Sequence, residues 1–411
     1  MHITILALGS RGDIQPFAAL GSGLLRAGYQ VRFITFETFA SLIAEHGLGF
    51  HPIRGNPQSL VASAGPNMLK LVRSFSSLAE GYARDLSAPI LGETDLLINQ
   101  LPGGLYGYDL AEKYGIQMVA AAVVPMARTS AFPFMAFPKI PLPGYNKMTY
   151  ILGEQLVWSV YRGVINHWRK QTLNLPPLPI KGYFDQLGTK QIPILNGFSP
   201  SVVTRPPDWN EHIHITGYWF PEEQNWQPPA DLEAFIDAGP PPVFISFGSM
   251  PVNNPDQTTQ VILKALDQSG QRGIIHMGWG GLGNQPLPDN VYKIEYAPYS
   301  WLFPRMAMVI HHGGSGTTGD GLRAGVPSCA VPFIFDQHYW GERIAALGAG
   351  PNPIRQRDLT VERLKQAIQL GTGNAQIRQN AVALGQKIRA EEGVKNALEV
   401  IEQILKVKSR N

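Results

Sequence analysis

Cysteine is nearly absent from this sequence, with Cys329 alone among 411 residues. A single thiol excludes an intrachain disulfide framework and is typical of a reducing compartment. Cys329 lies in an apolar segment, so we interpret it as a core residue and not as a nucleophile. The apolar run at the N-terminus, residues 2–8, is too short for a secretory signal and predicts a first strand. Because no run approaches the ~18 apolar residues of a membrane span, we expect a soluble, cytoplasmic protein.

Charge is also sparse, at 16% of the residues and a formal net charge of +3. The basic residues are scattered, so no nucleic-acid partner is predicted. The sequence has no Asp-x-Asp pair, and its ten histidines show no ligand spacing, so no metal site is predicted. A hydrophobic content of 44% supplies material for sizeable cores, and the length predicts two domains of roughly 200 residues each.

Strand and helix patterns alternate with short turns through both halves of the chain. This alternation predicts the α/β class, with a doubly wound parallel sheet in each half. The first domain is predicted over residues 1–216 and the second over residues 243–390. Residues 217–242 are proline-rich and polar without periodicity, which is typical of a linker. A last amphipathic helix is predicted within residues 391–411.

The most informative stretch is a glycine-rich turn between a predicted strand and a predicted helix. Met306–Ile310 has the composition of a buried strand, and HHGGSG, residues 311–316, follows it. Thr317 and Thr318 are N-cap-type residues, so a helix is predicted to begin there. Backbone N–H groups at such a turn, with the positive end of the helix dipole, suit a phosphate. His312 can add an imidazole N–H toward the same anion.

A second strand and a polar loop follow this helix. Ser328–Pro332 is predicted to be the strand, and Asp336 and Gln337 lie on the loop after it. Strand ends in a parallel sheet face one crevice. A carboxylate accepts hydroxyl protons and an amide both donates and accepts. The turn and this pair are therefore predicted to bind a sugar joined to a diphosphate.

Residues 296–350 as a whole resemble the donor-site signature of the family 1 glycosyltransferases, which use nucleotide sugars. WLFP (301–304), HHGGSGTT (311–318), GLRAGVP (321–327) and FDQHYWGER (335–343) are similar to the sterol 3-beta-glucosyltransferase branch, which is related to the enzymes that glycosylate glycopeptide antibiotics. The resemblance implies the GT-B fold, in which two Rossmann-like domains face a cleft. The N-terminal domain would bind the acceptor and the C-terminal domain the nucleotide sugar, with the final helix packing back on the first domain.

The resemblance also implies roles for individual residues of the second half. The donor diphosphate is expected at Ser249, His312, Gly314, Ser315, Gly316 and Thr317, and the sugar hydroxyls at Asp336 and Gln337. Tyr296 stands roughly where plant-type relatives stack an aromatic ring on uracil, and Asp320 where they bind the ribose. Tyr296 could equally be a packed aromatic residue at a strand end, and Ser249 an ordinary turn serine. His311 is expected to pack or to cap its strand.

The sequence predicts a turn over residues 9–16, after the first strand, and a helix from Phe17 onward. Within this turn, Asp13 is the expected catalytic base. Gly12-Asp13-Ile14-Gln15-Pro16 lines up with the Gly-His-x-x-Pro segment of plant-type relatives, whose histidine is the base. The resemblance thus implies that Asp13 removes the acceptor proton as the hydroxyl attacks the anomeric carbon with inversion. The alternative is a helix N-cap, for which an aspartate at this position is well suited. Plant-type enzymes pair the histidine with an aspartate, but the corresponding place here, residues 99–100, carries no carboxylate.

The acceptor pocket is predicted in residues 124–145, which are apolar, aromatic and rich in proline. Apolar side chains on an irregular loop suit a lipophilic ligand, and Phe132, Phe134 and Phe137 are the candidate lining residues, although such side chains could instead pack the core. A sterol or terpenoid is the first-choice acceptor, and a polyketide, flavonoid or peptide natural product is the alternative. A lipid acceptor could also hold the protein loosely at a membrane surface.

Two functions of other classes compete with this interpretation. A Rossmann NAD(P) oxidoreductase would need Gly-x-Gly-x-x-Gly after the first strand, and the Gly9-x-x-Gly12 of this chain does not match. An inactive sugar-nucleotide or lipid-binding module is disfavoured because Asp13, His312 and the Asp-Gln pair occur together. The sequence therefore predicts an inverting, metal-independent UDP-glycosyltransferase with UDP-glucose as co-substrate and no other cofactor.

Overall fold

The computed structural model describes residues 1–56, 81–82, 85–86, 91–221, 226–252, 254–278, 281–334 and 336–408. The sequence also predicts a long helical region from about Pro66 to Leu91, and this segment lies almost entirely outside these residues. The chain forms two compact units. The first comprises Met1–Pro200, Thr204–Pro221 and Glu392–Asn411, and the second comprises Ser201–Val203 and Glu222–Glu391.

The first unit is built on a seven-stranded parallel sheet with the order β3-β2-β1-β4-β5-β6-β7. Its strands are β1 (His2–Leu6), β2 (Gln30–Phe36), β3 (Gly49–Ile53), β4 (Leu96–Gln100), β5 (Gln117–Ala122), β6 (Ile194–Asn196) and β7 (Ile213–Ile215). Its helices include α1 (Arg11–Arg26), α2 (Ala40–Glu45), α3 (Gly107–Tyr114), α4 (Tyr145–Trp168) and α5 (Gly182–Thr189). A π-helical turn, Arg169–Leu173, continues α4.

The second unit is built on a five-stranded parallel sheet with the order β10-β9-β8-β11-β12. Its strands are β8 (Val243–Ser246), β9 (Gly273–His276), β10 (Val291–Ile294), β11 (Met308–His311) and β12 (Ser328–Ala330). Its helices include α6 (Ala230–Asp237), α7 (Pro255–Gln268), α8 (Tyr299–Leu302), α9 (Ser315–Ala324), α10 (Gln337–Ala346), α11 (Val361–Gly373) and α12 (Ala375–Arg389). The predicted pair of doubly wound parallel sheets is confirmed.

The strands of the second sheet are apolar because helices cover both faces. Along β8, Val243 and Ile245 enter one buried cluster and Phe244 the other, as the two-residue period of a strand requires. Cys329 lies in the first cluster without exposed surface, and burial raises the pKa of its thiol to about 12. Its predicted role as a core residue is confirmed.

Two segments near the unit boundaries carry helices. Residues 217–242 showed no periodicity, yet they contain α6, whose Leu232 is fully buried in the cluster of Phe244. The last helix, α13 (Gly393–Lys408), belongs to the first unit. The side-chain amide of its Asn396 donates to the Thr216 carbonyl oxygen at 2.9 Å, and the amide of Gln117 donates to the carbonyl oxygen of Ile404 at 3.3 Å.

Each sheet has one point where the chain reverses the direction in which it adds strands. In the first sheet this point lies between β1 and β4, and in the second between β8 and β11. The carboxyl ends of the two strands at such a switch point open a crevice where doubly wound proteins bind ligands. Within the described ranges, no helix combines the length and the apolar character needed to cross a bilayer.

Candidate functional site

In the second unit, two turns leave the sheet side by side at the switch point. β8 and β11 are paired so that His311 lies opposite Ser246. The turn with Ser249 follows β8, and the turn with His312 and Gly314 follows β11. The residues predicted to bind the diphosphate therefore lie at one edge of one sheet.

These two turns meet around the ring of His312. Gly248 has φ +58°, and a Cβ on it would lie 3.0 Å from His312 Cε1. A Cβ on Gly314 would lie 2.4 Å from Nε2 of the same ring. Because any side chain at these two positions would displace the imidazole, the glycines are what allow both turns to close around it.

His312 is a neutral donor in this environment. Burial lowers its pKa to about 4. Its Nδ1 is buried without a hydrogen-bond partner among the residues that the structure describes. A neutral imidazole carries a single N–H, so His312 can donate one hydrogen bond to an anion but brings no positive charge at neutral pH.

His311 has a structural position, as expected. It is the last residue of β11 and has no exposed surface. Its Nδ1 accepts a hydrogen bond from the Gly313 backbone N–H at 3.0 Å, and burial lowers its pKa to about 3. His311 thus shapes the turn from beneath.

α9 begins two residues earlier than the sequence predicted. Its N-cap is Gly314, and Thr317 and Thr318 lie within its first turns. The Thr318 backbone N–H donates to the Gly314 carbonyl oxygen at 2.9 Å and closes the first helical turn. N–H groups before that bond have no acceptor inside a helix, and no side chain of the described residues caps this end. The predicted cradle at Ser315, Gly316 and Thr317 is therefore the uncapped N-terminus of a ten-residue helix.

Gln337 lies against the turn that carries His312 and Gly314, but its side chain is bound by the protein itself. A Cβ on Gly313 would lie 2.7 Å from the Gln337 carbonyl oxygen. The Gln337 Oε1 accepts from the Phe333 and Ile334 N–H groups at 2.8 and 3.1 Å, and its Nε2 donates to Met250 Sδ at 3.0 Å. With 4% exposure, this amide fixes the loop before α10.

Asp336 is oriented by a buried tryptophan. The Trp340 indole N–H donates to Asp336 Oδ2 at 3.0 Å, and Trp340 has no exposed surface. From the sequence, the helical spacing of Trp340 suits either a core or a cleft-lining position. Its burial makes it a core residue that holds the carboxylate. Asp336 itself is half-buried at the start of α10.

The two nucleoside candidates lie on different elements. Tyr296 comes two residues after β10, at the carboxyl edge of the sheet, and is 47% exposed. The alternative prediction, that Tyr296 is a buried aromatic residue at a strand end, is therefore wrong. Asp320 lies half-buried in the second turn of α9.

Sequence reasoning missed a series of linked hydrogen bonds that supports the turn after β8. His276 Nε2 lies 2.9 Å from the Glu295 carbonyl oxygen, which can only accept, so this nitrogen carries the proton. His276 Nδ1 then accepts from Ser246 Oγ at 2.9 Å, and Ser246 Oγ accepts from the Gly248 N–H at 3.1 Å. This series of hydrogen bonds fixes the turn after β8, which contacts His312. No spacing pattern announces it, because its members lie on separate strands.

In the first unit, Asp13 lies at the β1–β4 switch point but inside α1. The helix begins at Arg11, whereas the sequence predicted a turn until Pro16. Asp13 Oδ2 accepts hydrogen bonds from the backbone N–H and the hydroxyl of Ser10, both at 2.8 Å. Asp13 is thus the third helical residue of a capping box and not the N-cap itself. The Ser-x-x-Asp spacing in the sequence signalled this arrangement.

Capping leaves one oxygen of Asp13 available. The residue is half-buried, and Oδ1 accepts no hydrogen bond from the described part of the chain. Burial raises the pKa of Asp13 above its usual value, while the two hydrogen bonds from Ser10 lower it. A raised pKa makes the carboxylate a stronger base than an ordinary aspartate.

Amides occupy the end of β4, where plant-type relatives carry a carboxylate. Gln100 Oε1 accepts from the Leu8 backbone N–H at 2.7 Å and fixes the chain after β1. Asn99 is fully buried, and its Nδ2 donates to the Tyr183 hydroxyl at 2.9 Å. Both side chains are thus engaged by groups of the first unit itself.

The predicted acceptor-pocket residues separate into two groups. Phe132 lines a cavity of about 270 Å³ beside Lys139, Ile140 and Asn146. Phe134 packs on α4 instead, with its ring centroid 5.4 Å from that of Tyr150. Phe137 lies 6.5 Å from Phe134. Among the described residues, no three His, Cys, Asp or Glu side chains are grouped as a metal would need.

Comparisons with known proteins address the chain as a whole. Residues 3–92 match the family model described as "Glycosyltransferase family 28 N-terminal domain", and residues 271–405 match "Erythromycin biosynthesis protein CIII-like, C-terminal domain". The chain is 35% identical to the sterol 3-beta-glucosyltransferase UGT80B1 of Arabidopsis thaliana, over 98% of this chain and 68% of that protein. It is 36% identical to a sterol 3-beta-glucosyltransferase of Aspergillus terreus, over 98% of this chain and 30% of that protein. It is 34% identical to the sterol 3-beta-glucosyltransferase UGT80A2 of Arabidopsis thaliana, over 97% of this chain and 64% of that protein.

Solved structures agree at the level of the fold. The glycotransferase of kitacinnamycin matches with a TM-score of 0.75 at 19% identity, covering 98% of this chain and 99% of that one. The calicheamicin glycosyltransferase CalG4 matches with a TM-score of 0.70 at 18% identity, covering 98% of each chain. The predicted GT-B fold is confirmed. The chain spans 30% of the length of the Aspergillus protein and 64% and 68% of the two Arabidopsis proteins.

Proposed function

The chain belongs to the sterol 3-beta-glucosyltransferase family, and we propose that it transfers glucose from UDP-glucose to a hydroxyl of a sterol or related terpenoid. The transfer inverts the anomeric carbon and proceeds without a metal. The observation that carries the proposal is the chemistry of the two switch points. One presents a carboxylate of raised pKa, and the other presents an uncapped helix N-terminus beside a neutral histidine.

The donor diphosphate binds at the start of α9. Backbone N–H groups of Gly316 and Thr317, with Ser315, contact its oxygens, and the helix dipole favours the negative charge. His312 donates its N–H, and Ser249 reaches the same group from the neighbouring turn. As the glycosidic bond breaks, these donors stabilise the charge that develops on the leaving diphosphate. Support comes from the meeting of both turns around the His312 ring.

Asp13 is the catalytic base in this proposal. Its Oδ1 takes the proton of the acceptor hydroxyl while the oxygen forms its bond to the anomeric carbon. The capping box holds Oδ2, so the carboxylate has a fixed orientation. The absence of a carboxylate at Asn99 and Gln100 means that the proton stays on Asp13 and is not shared with a second acid there.

Asp336 and Gln337 divide the recognition of the sugar. Asp336, oriented by Trp340, accepts hydroxyl protons. The side chain of Gln337 fixes the adjoining loop, so its contribution is to position that loop. The exposed ring of Tyr296 stacks on the nucleobase, and Asp320 contacts the ribose. Phe132 lines the apolar side of the acceptor pocket.

The proposal is tested by measuring UDP release from UDP-glucose with sterols, flavonoids and macrolides as acceptors, with EDTA present throughout. We expect release that depends on a sterol and a glucosylated sterol whose anomeric configuration is opposite to that of the donor. Glucosylation of the other acceptors alone would support a natural-product enzyme instead. UDP binding without turnover on any sugar nucleotide would contradict the enzymatic role and favour a binding module.

A further inference from the structure

The first half of α4 exposes an apolar stripe. Met148, Ile151, Leu152 and Leu156 follow one another at spacings of three, one and four residues, which places them on one face of the helix. Each is at least 45% exposed. The opposite face carries buried side chains that anchor the helix, including Tyr150 and Glu154.

Neighbouring loops extend this stripe. Ile140 and Leu142 lie on the loop before α4, where the Tyr145 hydroxyl donates to the Pro138 carbonyl oxygen at 3.0 Å. Ile180, the most exposed of the group at 72%, lies on the loop after it. That loop is joined to the middle of α4 because the Gln155 amide donates to the Lys181 carbonyl oxygen at 2.9 Å.

We call the seven side chains Ile140, Leu142, Met148, Ile151, Leu152, Leu156 and Ile180 the apolar patch. They are seven of the thirteen large apolar side chains that are exposed in the described residues, and all lie between residues 140 and 180. Clustering on this scale is not the scattered exposure of an ordinary surface and marks an interaction site.

The exposed charges around the apolar patch have one sign. Residues 131–181 contain a single acid, Glu154, which is buried and accepts hydrogen bonds from the Arg128 guanidinium. The exposed cations of the same segment are Lys139, Lys147, Arg162, Lys170 and Lys181. From other elements, Asp208 lies 3.2 Å from Lys147 and Asp185 lies 3.7 Å from Arg128. Arg162 shares the helix face of the apolar stripe, less than two turns beyond Leu156.

We propose that the apolar patch docks the protein on a bilayer surface that contains anionic lipids. Apolar side chains enter the boundary between headgroups and acyl chains, while Lys and Arg side chains meet the lipid phosphates. A second copy of the chain fits less well, since a symmetric dimer through this surface would bring like charges together. This contact is made by the protein surface itself and does not depend on the proposed glycosyl transfer.

The test is co-sedimentation of the full chain with phosphatidylcholine vesicles, with and without phosphatidylserine. We expect binding to the phosphatidylserine vesicles that weakens as salt is raised. The double substitution Leu152→Ser with Leu156→Ser is expected to lower the bound fraction at least tenfold, and Arg162→Glu with Lys181→Glu should remove the preference for phosphatidylserine. All four side chains are exposed, so thermal unfolding should change little.

The matched control is Leu370→Ser with Val382→Ser. These side chains are 45% and 47% exposed on α11 and α12 of the second unit, and their loss should leave vesicle binding unchanged. No binding of the unmodified chain to any vesicle would overturn the proposal, as would equal loss in the control. A dimer, seen by light scattering, that disappears with Leu152→Ser and Leu156→Ser while vesicle binding persists would assign the surface to a second copy instead.

Discussion

The two switch points share an architecture and differ in how the helix that follows is capped. α1 is capped from within, because Ser10 and Asp13 form a capping box at its N-terminus. α9 has glycine at its N-cap and no acidic residue in its first turn, and none of the side chains that the structure describes caps it. The first helix therefore presents a carboxylate to the crevice, and the second presents N–H groups. In the proposed mechanism, the same edge of the same kind of sheet serves as a proton acceptor in one unit and as an anion site in the other.

The pKa shifts at the two switch points also differ in direction. In the first unit burial raises the pKa of Asp13, which strengthens a base. In the second unit burial lowers the pKa of His312 to about 4, so the ring donates without carrying charge. Burial thus destabilises the charged form in both places, and the residue type decides whether the result is a better base or a neutral donor.

The largest effect is expected from Asp13→Asn. The amide oxygen can still accept from Ser10, so the cap persists, but no group remains to take the acceptor proton. We expect kcat to fall by roughly 10²–10⁴-fold, with the melting temperature and UDP affinity nearly unchanged. The measurement is steady-state turnover beside calorimetric titration of UDP. Unchanged turnover would show that Asp13 is a cap and not the base.

A second prediction concerns stability and pH in the unit that carries the neutral histidines. The folded-state pKa values of His311 and His312 are lowered to about 3 and about 4, from about 6.5 in an unfolded chain. Between these limits the unfolded chain binds more protons, so stability is present above pH 6.5 and is lost as pH falls toward 4. We expect a loss of about 2–5 kcal/mol over this interval, measured by urea unfolding.

The control separates these histidines from the rest of the chain. His311→Asn should flatten the pH dependence, whatever its effect at pH 7. The same change at His167, which is exposed on α4, is the matched control substitution. Equal slopes in the unmodified chain and both variants would contradict neutral histidines at these two positions of the folded chain.

The smallest effect is expected from Gly316→Asp, which gives α9 the acid that α1 already has. A Cβ at this position meets no atom within 4 Å. A carboxylate in the first turn should stabilise the helix by about 0.3–1 kcal/mol. Because it also repels the diphosphate, we expect UDP to bind about tenfold more weakly, a loss of ~1.4 kcal/mol. Gly316→Asn is the isosteric control, and equal weakening by both changes would point to crowding in place of charge.

The sequence predicted the features that depend on local pattern. Alternating strands and helices, and glycine turns after β1, β8 and β11, follow from periodicity and backbone freedom. They place Asp13 in the segment after β1 and His312 directly after β11. The start of α1 was predicted six residues late, and the start of α9 two residues late. Each depends on the backbone conformation of one capping residue, Ser10 or Gly314, which composition alone does not determine.

Other features of the site depend on contacts that are distant in sequence. The amide of Gln337 is bound by Met250, 87 residues away. His312 is made neutral by burial between the turns after β8 and β11. The turn after β8 is in turn fixed by His276. Trp340 has helical spacing that suits either a core or a pocket, and only packing distinguishes the two. The residue types predicted which hydrogen bonds these side chains can make, but not which partners they hydrogen-bond or pack against in the fold.

The most direct test of the division between the two switch points is calorimetric titration of UDP into three proteins: the unmodified chain, Asp13→Asn and Gly316→Asp. If the second unit binds the diphosphate and the first supplies the base, affinity will be equal in the unmodified chain and Asp13→Asn and about tenfold weaker in Gly316→Asp. Weaker binding in Asp13→Asn together with unchanged binding in Gly316→Asp would contradict the account.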